Sequence, residues 1–258
     1  LAMHSTPHQK LATHHDRHCI HTHNRQAQGR RLVNVAVLLS GGVDSSLALA
    51  LLSREKGIEL KAYYLKIWLE EELAFLGDCP WEADLAYARE TCERFDVPLN
   101  IVPLQSEYRE QIVDHALTEL HLGRTPSPDI FCNQRIKFGA FYHRVASECD
   151  KIASGHYARI KEIANQSHLL RAPDPVKDQT YFLSHLSQEQ LARTLFPIGH
   201  LHKREVRALA AQFDLPAKDR KDSQGICFLG KISYPDFVRF HLGETTGDII
   251  EWANGEKK

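Results

Sequence analysis

The chain has 258 residues, of which 43% are hydrophobic and 25% are charged, and its formal net charge is −1. This composition is ordinary for a soluble globular protein, and the near-neutral balance excludes a globally basic nucleic-acid binder. No apolar run approaches the roughly 20 residues that a membrane-spanning helix needs. The length suits one large domain or two modest ones.

Six cysteines are spread along the chain without a C-x-x-C pair. Their spacing suits neither a zinc ribbon nor a small disulfide scaffold, and it favours free thiols in a reducing compartment. They are Cys19, Cys79, Cys92, Cys132, Cys149 and Cys227.

Residues 1–31 contain five basic residues, a single acidic residue and seven histidines. A metal-binding tract is one interpretation, but the irregular histidine spacing favours a disordered leader. The basic, acid-poor composition resembles the remnant of an organellar transit peptide, which predicts a plastid or mitochondrial location, with the cytoplasm as the alternative. Because the first residue is Leu1, we expect a fragment or a processed form.

From Val33 onward, apolar runs alternate with segments of helical periodicity, which predicts a doubly wound parallel α/β sheet. Strands are predicted at 33–39, 60–67, 99–104 and 151–154, and helices at 45–56, 81–95, 107–120 and 133–148. Beyond Tyr157 the alternation fades into a hairpin and loop at 158–185 and helices at 187–194 and 203–213. We therefore predict a catalytic domain over 32–160, with its remainder and a smaller, mainly helical domain over 161–250.

The run VAVLLSGGVDSS, residues 35–46, leads a buried strand through two glycines directly into a helix. Glycines allow close approach of the backbone to a ligand, and the helix N-terminus supplies N–H groups and a positive dipole end for a phosphate. Asp44 would position Mg²⁺ carried by a nucleotide. No Walker Gly-Lys-Ser/Thr is present. The alternative is an ordinary strand-turn-helix with a Ser or Asp N-cap.

A first candidate reactive thiol, Cys132, is predicted at the start of a helix. There the helix dipole, Arg135 and Lys137 would stabilise its thiolate, and Asp129 could act as a general base. The alternative is an Asp N-cap beside a buried cysteine.

The run KDSQGICFLG, residues 221–230, contains a second candidate thiol, Cys227. One interpretation is a short buried strand over 226–229 with the cysteine as a small hydrophobe, and the other is a reactive thiol on a loop hinged at two glycines. In the run SGHYARI, Gly155 follows a strand at the sheet edge where open α/β folds bind ligands. The run KDQTYFLSHL places Lys177 ahead of an apolar segment, where a solvated loop is the simpler interpretation.

Together these runs resemble the tRNA-specific 2-thiouridylase family of the N-type ATP pyrophosphatase superfamily, over about residues 32–250. The matching runs are SGGVDSS, YLKIW, GRTPSPDIFCN, SGHY, KDQTYFLSHL and KDSQGICFLG. YLKIW and CPWEADL look closer to plant and plastid members. The usual CNKEIKF is CNQRIKF here, and family members normally continue into a C-terminal β-barrel, which is missing from a chain that stops at Lys258.

The resemblance implies an adenine nucleotide alpha hydrolase-like fold and a role for each matching residue. Cys132 corresponds to the nucleophile, Cys227 to the acceptor of persulfide sulfur, and Asp129 to a residue that assists catalysis. The implied ATP site is Leu38, Leu39, Ser40, Gly41, Gly42, Val43, Asp44, Ser45, Leu65 and Gly155. The implied tRNA contact is Lys177, Asp178 and Gln179.

The activity implied is ATP-dependent adenylation of the wobble uridine at its C2 oxygen, followed by sulfur transfer that gives 2-thiouridine, AMP and pyrophosphate. The implied cofactors are ATP and Mg²⁺, and the implied partners are tRNA and a cysteine desulfurase or sulfur-relay protein that supplies persulfide sulfur. A Cys132–Cys227 disulfide would remain after each turnover. Another ATP pyrophosphatase, such as an amidating synthetase, and a non-catalytic nucleotide- or RNA-binding module are the alternatives.

Overall fold

A five-stranded parallel sheet lies at the centre of the fold. The computed structural model describes residues 31–67, 81–222 and 234–257. In chain order the strands are β1 (Val33–Leu38), β2 (Ile58–Lys66), β3 (Leu99–Pro103), β4 (Lys151–Ala153), β5 (Ala158–Ile163), β6 (Gln166–Arg171) and β7 (Thr194–Leu195). The central sheet has the order β3-β2-β1-β4-β7, while β5 and β6 form a separate antiparallel hairpin.

Seven helices of the described residues surround these strands, and two of them contain π-helical stretches. They are α1 (Val43–Leu52); α2 (Trp81–Phe95); α3 (Gln105–Tyr108, π-helical over Arg109–Val113, then Asp114–His121); α4 (Pro128–Phe131, π-helical over Cys132–Ala140, then Phe141–Val145); α5 (Gln188–Ala192); α6 (Lys203–Gln212); and α7 (Tyr234–Leu242). A 3₁₀ turn occupies Thr180–Leu183.

Both faces of β1 are buried from Val35 onward, which explains why the strand is apolar from Val35 to Leu38. Val35 and Val37 pack on one face with residues of α1 and α2, while Ala36 and Leu38 pack on the other with residues of α3 and α4. After β1 the chain adds β2 and β3 along one edge of β1, and it then crosses over to add β4 along the opposite edge of β1. The carboxyl ends of β1 and β4 therefore form the switch point at which open α/β sheets bind ligands.

Helix α1 is buried on nearly all sides because the sheet covers one side and α6 the other. Val43, Leu47 and Ala50 pack with Val206 and Ala210 of α6. Through this contact the C-terminal part of the chain lies beside the start of α1. Contacts group Leu32–Lys258 into one compact unit. A division near residue 160 stays a prediction.

The predicted doubly wound parallel sheet is confirmed, and the predicted helix at 81–95 has the observed bounds. Four elements differ from prediction by more than two residues, among them helix α7, which was not predicted. Helix α4 begins at Pro128 instead of residue 133, because proline suits the first position of a helix. Helix α1 ends at Leu52, where Arg54 and Glu55 N–H groups bond in tight turns. The two-residue strand β7 was not predicted, and it extends the sheet beyond β4.

Within the described residues, no helix combines the length and apolar character that crossing a membrane requires. The predicted leader, residues 1–31, lies outside the described part of the chain except for Arg31.

Candidate functional site

The loop between β1 and α1 is held together by hydrogen bonds between a serine hydroxyl and its own backbone. The Ser45 hydroxyl accepts from the Ser40 N–H at 3.2 Å and donates to the Gly42 carbonyl at 3.1 Å. Gly42 is the N-cap of α1, and no side chain of the described residues caps the first turn. The alternative of a Ser or Asp N-cap is therefore wrong, and the first N–H groups of α1 have no side-chain acceptor that would compete with a phosphate.

Two glycines allow the loop to lie against its neighbours. Gly41 has φ +72°, and a Cβ there would lie 2.1 Å from the Asp84 carbonyl oxygen. At the end of β4, a Cβ on Gly155 would lie 2.7 Å from the backbone of Asp44 and Ser45. The structure thus brings Gly155 to the loop across the switch point, although more than a hundred residues separate them.

The remaining residues of the predicted ATP site are grouped by the strands. Leu38 and Leu39 end β1 and are buried, Val43 is buried in α1, and Leu65 lies partly buried near the end of the neighbouring strand β2. All ten predicted positions therefore lie at the carboxyl ends of three adjacent strands, in the loop after β1 or in the first turn of α1.

A group of opposite charges, which we call the charged cluster, adjoins the loop. The Asp44 Oδ1 atom accepts from the Tyr157 hydroxyl at 2.8 Å and from Lys203 Nζ at 2.7 Å. The same ammonium lies 2.8 Å from Asp222 Oδ1. The members of the charged cluster are Asp44, Lys177, Lys203, Arg207 and Asp222.

Asp222 is the carboxylate on which three of these cations converge. It accepts from Lys177 Nζ at 2.7 Å, from Lys203 Nζ at 2.8 Å and from an Arg207 guanidinium nitrogen at 2.6 Å. Burial opposes its ionisation, but the bonds from Lys177 and Lys203 outweigh burial and lower the pKa of Asp222 to about 2. The carboxylate is therefore ionised at physiological pH. It is also the last described residue before Cys227.

Tyr157 completes the contact with Asp44. Burial raises the pKa of its hydroxyl, and the Asp44 carboxylate raises it further. The hydroxyl therefore stays protonated and donates to Asp44.

A second tie joins the same part of the chain to the loop. Arg220 donates to the Gly41 carbonyl oxygen at 3.0 Å and forms an ion pair with Asp84. Residues 220–222 are therefore tied to the loop between β1 and α1 in two ways. Arg220 binds the loop backbone directly, and Asp222 is linked to Asp44 through Lys203.

The three predicted tRNA-contacting residues each have protein partners. Lys177 binds Asp222, as described above. Asp178 accepts from Arg171 Nε at 2.7 Å and from the Thr180 hydroxyl at 2.8 Å. The Gln179 Oε1 atom accepts from the Tyr157 N–H at 3.1 Å, which links this turn to the strand end at Gly155. The turn therefore lies next to the charged cluster.

Cys132 is fully buried in a different environment. Its side chain belongs to a core cluster that includes Leu38, Ile136 and Leu183. It lies one turn into α4, with its N–H bonded to carbonyls of the first turn, so it is not at the helix N-terminus as predicted. The helix dipole therefore acts on it less directly than expected. Asp129 occupies the first turn of α4, and its Oδ1 atom is buried.

The expected pairing of Arg135 with the Cys132 thiol is not observed. Arg135 donates to the Gln111 carbonyl oxygen at 2.9 Å, and its guanidinium lies over the Phe131 ring at 4.2 Å. The positive charge of Lys137 acts on His156, whose pKa is lowered by burial first and by Lys137 second. His156 is therefore neutral at physiological pH, with its Nδ1 atom 2.8 Å from the Ser154 hydroxyl.

Cys227 and the rest of the run from Ser223 to Gly230 lie outside the described residues. The structure therefore describes one of the two predicted thiols. The sequence interpretation missed Tyr157 and Asp222 as partners of the loop. Lys203 and Arg207 both pair with Asp222, and Lys203 also pairs with Asp44.

No group of three or more His, Cys, Asp and Glu side chains in the described part of the chain is arranged to hold a metal ion. The only acidic side chain of the loop is Asp44. One carboxylate suits a Mg²⁺ ion that arrives with a nucleotide, because such ions keep most of their ligands as phosphate oxygens and water.

The chain matches known proteins over most of its length. Residues 33–231 match the family described as tRNA methyl transferase HUP domain. The chain is 44% identical over 224 residues to the tRNA-specific 2-thiouridylase MnmA of Porphyromonas gingivalis, covering 87% of this chain and 62% of that protein. It is 44% identical over 225 residues to MnmA 2 of Bacteroides fragilis, covering 87% and 63%. The chain thus spans somewhat less than two thirds of the length of these relatives.

Among solved structures, the U34-tRNA thiolase NcsA of Methanococcus maripaludis, with its [4Fe-4S] cluster, is similar with a TM-score of 0.48 and 19% identity. The similarity covers 78% of this chain and 63% of that one. The family match assigns the HUP fold to the sheet and its surrounding helices, in agreement with the fold predicted from the resemblance. The chain belongs to the tRNA methyl transferase HUP domain family.

Proposed function

We propose that this protein is a tRNA 2-thiouridylase that uses ATP to activate a wobble uridine and then replaces the uridine C2 oxygen with sulfur. The observation that carries the proposal is the 44% identity to proteins named tRNA-specific 2-thiouridylase, in a chain whose phosphate-type loop lies at the switch point of a HUP-type sheet. The activity class is that of a sulfurtransferase.

The loop and the charged cluster supply the first step. The C2 oxygen of uracil is a poor leaving group, and transfer of AMP from ATP to that oxygen releases pyrophosphate and makes it a good one. The uncapped N–H groups of α1 and the Lys203 ammonium stabilise negative charge on the phosphates. Mg²⁺ bound with ATP would neutralise phosphate charge, and Asp44 is the residue that would hold it.

The two thiols supply the second step. A persulfide forms on Cys227, with a cysteine desulfurase or a sulfur-relay protein as its source. In one route the terminal sulfur attacks C2 and expels AMP, and Cys132 then attacks the Cys227 sulfur and frees the thiocarbonyl. In the other route Cys132 attacks the persulfide first and releases sulfide, and the sulfide attacks C2 and expels AMP. Both routes leave a Cys132–Cys227 disulfide, which a thiol reductant returns to two thiols with two electrons.

Asp129 and the turn at Lys177–Gln179 have the supporting roles. Asp129 lies in the helical turn before Cys132 and assists proton transfer at the reacting groups. Lys177, Asp178 and Gln179 form the tRNA contact, beside the charged cluster, and the uridine leaves its stack to enter the site.

The test is mass analysis of nucleosides from tRNA incubated with the 258-residue chain, ATP, Mg²⁺ and a persulfide donor. We expect a uridine whose mass increases by the difference between sulfur and oxygen, only when ATP is present. The Cys132→Ser variant is the control and should give no thiolated nucleoside. An unchanged uridine mass with the unmodified chain contradicts the proposal.

A further inference from the structure

The helix that contains Cys132 has an uncommon backbone. It is π-helical over nine residues, Cys132–Ala140, and the Phe141 N–H donates to the Ile136 carbonyl in the corresponding i to i−5 pattern. Most π-helical segments in proteins are single turns within α-helices, and they are frequent at functional sites. A stretch of this length indicates that contacts from outside the helix hold it in that form.

One side chain from the neighbouring helix α5 supplies such a contact. The Gln190 Nε2 group donates to the Gln134 carbonyl at 2.8 Å and to the Phe138 carbonyl at 3.0 Å. These two carbonyls belong to the π-helical stretch and lie one turn apart. Both amide hydrogens of Gln190 are therefore used on the backbone of the helix that contains Cys132.

The oxygen end of the Gln190 side-chain amide is also held by hydrogen bonds. The Gln190 Oε1 atom accepts from the Ser187 N–H at 3.0 Å, and the Gln190 N–H donates to the Ser187 hydroxyl at 3.2 Å. This reciprocal arrangement is a capping box at the start of α5. The donor end of Gln190 is thus held rigidly against α4.

A second contact holds α4 next to the thiol itself. Asn133, which is 2% exposed, donates through Nδ2 to the Phe182 carbonyl at 3.0 Å. Cys132 is fully buried, next to Asn133 in the helix that Gln190 contacts. The hydrogen bonds of Asn133 and Gln190 and the packing of the apolar cluster therefore hold the part of α4 around Cys132.

Gln188, in the same short helix, is a natural comparison. Its amide also makes two bonds to backbone, donating to the Ser167 carbonyl at 2.9 Å and accepting from the Ser167 N–H at 2.9 Å. Ser167 belongs to the hairpin strand β6 and not to α4. Two glutamines of one helix thus make similar bonds to different elements.

We propose that Gln190 is a positioning residue for Cys132: its two donated hydrogen bonds keep α4 in the π-helical form and hold the thiol in its buried place. The functional part of this inference rests on the proposed thiolation, in which Cys132 must meet the persulfide and the activated uridine. The structural part, that Gln190 keeps Cys132 in its buried place, rests only on the two hydrogen bonds from Gln190 to the backbone of α4.

The experiment compares Gln190→Glu with Gln188→Glu in the full chain. Glutamate keeps an acceptor for the Ser187 N–H but has no amide hydrogens, so Gln190→Glu removes both bonds to α4 and adds a negative charge beside the two carbonyls, as Gln188→Glu does beside Ser167. Peptide-resolved mass spectrometry measures the rate at which iodoacetamide alkylates the three buried thiols Cys92, Cys132 and Cys149. We expect alkylation of Cys132 to accelerate on the order of tenfold in Gln190→Glu, while Cys92 and Cys149 change less than about twofold.

Gln188→Glu should leave the alkylation rate of Cys132 unchanged. Gln190→Met, which removes the donors without adding a charge, should reproduce the selective effect if Gln190→Glu folds poorly. An unchanged Cys132 rate in both Gln190 variants, or an equal acceleration of all three thiols, overturns the inference because the contact would then be unimportant or only generally stabilising.

Kinetics separate positioning from a merely structural contribution. We expect Gln190→Met to lower kcat for thiolation about tenfold with the KM for ATP unchanged, and Gln188→Glu to change neither. A rise in the KM for ATP together with the fall in kcat would contradict a role specific to Cys132. If the unmodified chain forms no 2-thiouridine, the proposed function fails, and the selective alkylation pattern still decides whether Gln190 positions Cys132.

Discussion

The phosphate-loop region and the surroundings of Cys132 are organised in opposite ways. The loop is held by charge, since Lys203 bridges Asp44 and Asp222 from a helix far along the chain. Cys132 is held by apolar packing and by amide bonds to the backbone of its helix. The difference indicates that the loop and the buried thiol are held by different forces in one protein, and we expect the proposed nucleotide and sulfur chemistry to respond separately to substitution and pH.

We expect the largest effect, on ATP affinity, from a substitution where the carboxyl ends of β1 and β4 meet. Gly155→Val places a side chain where even a Cβ would lie 2.7 Å from the Asp44 and Ser45 backbone, so the loop must move. We expect ATP affinity to fall about a hundredfold in equilibrium titration. Gly247→Ala is the control, because a Cβ there meets nothing within 4 Å. Equal affinities in the two variants would show that the loop does not depend on this contact.

Loss of the bridging ammonium should have the next largest effect. Lys203→Met leaves Asp44 and Asp222 close together without the cation between them, and we expect the free energy of unfolding in denaturant to fall by about 2 kcal/mol. Lys218→Met is the matched control, because Lys218 pairs with Asp214 at the surface and its loss should matter less. A larger loss for Lys218→Met would contradict the importance of the charged cluster.

The same cluster predicts a dependence of stability on pH. The pKa of Asp222 is lowered to about 2, so its contribution to stability is fully present above its unfolded pKa near 4 and is lost as pH falls from about 4 to about 2. With allowance for solvent screening, we expect the wild type to lose about 1 kcal/mol more than Asp222→Asn over that range. Denaturant unfolding at several pH values measures the difference. If the free energy of unfolding falls equally with pH in the two proteins, Asp222 does not cause the pH dependence.

Much of the sheet could be predicted because its signals are local. The helix Trp81–Phe95 follows a proline and has clear apolar spacing, and β1 is a largely apolar run that two glycines follow closely. Strand β7 has only two residues and its place in the sheet depends on pairing with β4, so no local pattern identifies it. The π-helical form of α4 likewise depends on contacts from another helix.

The residues around the loop could be predicted to lie together, but their contacts could not. Ser40–Ser45 and Gly155 meet as expected at one edge of the sheet. The bond between Asp44 and Lys203 joins residues 159 positions apart, and a single sequence has no signal for such a pair. Arg135 follows Cys132 closely in sequence, yet it binds Gln111, because a helix turns successive residues in different directions. The roles assigned to the leader at residues 1–31, including an organellar location, and to Cys227 stay predictions.

The most direct test of the separation between the two regions is pyrophosphate release in the presence of unmodified tRNA, ATP and Mg²⁺, measured for the wild type and for Cys132→Ser. Serine replaces a buried thiol that belongs to an apolar cluster and forms none of the ion pairs of the charged cluster, so the loop and the charged cluster remain intact. We expect both proteins to release pyrophosphate at initial rates within about twofold of each other, while only the wild type forms 2-thiouridine. Loss of pyrophosphate release in Cys132→Ser, or no tRNA-dependent release from the wild type, would contradict the account.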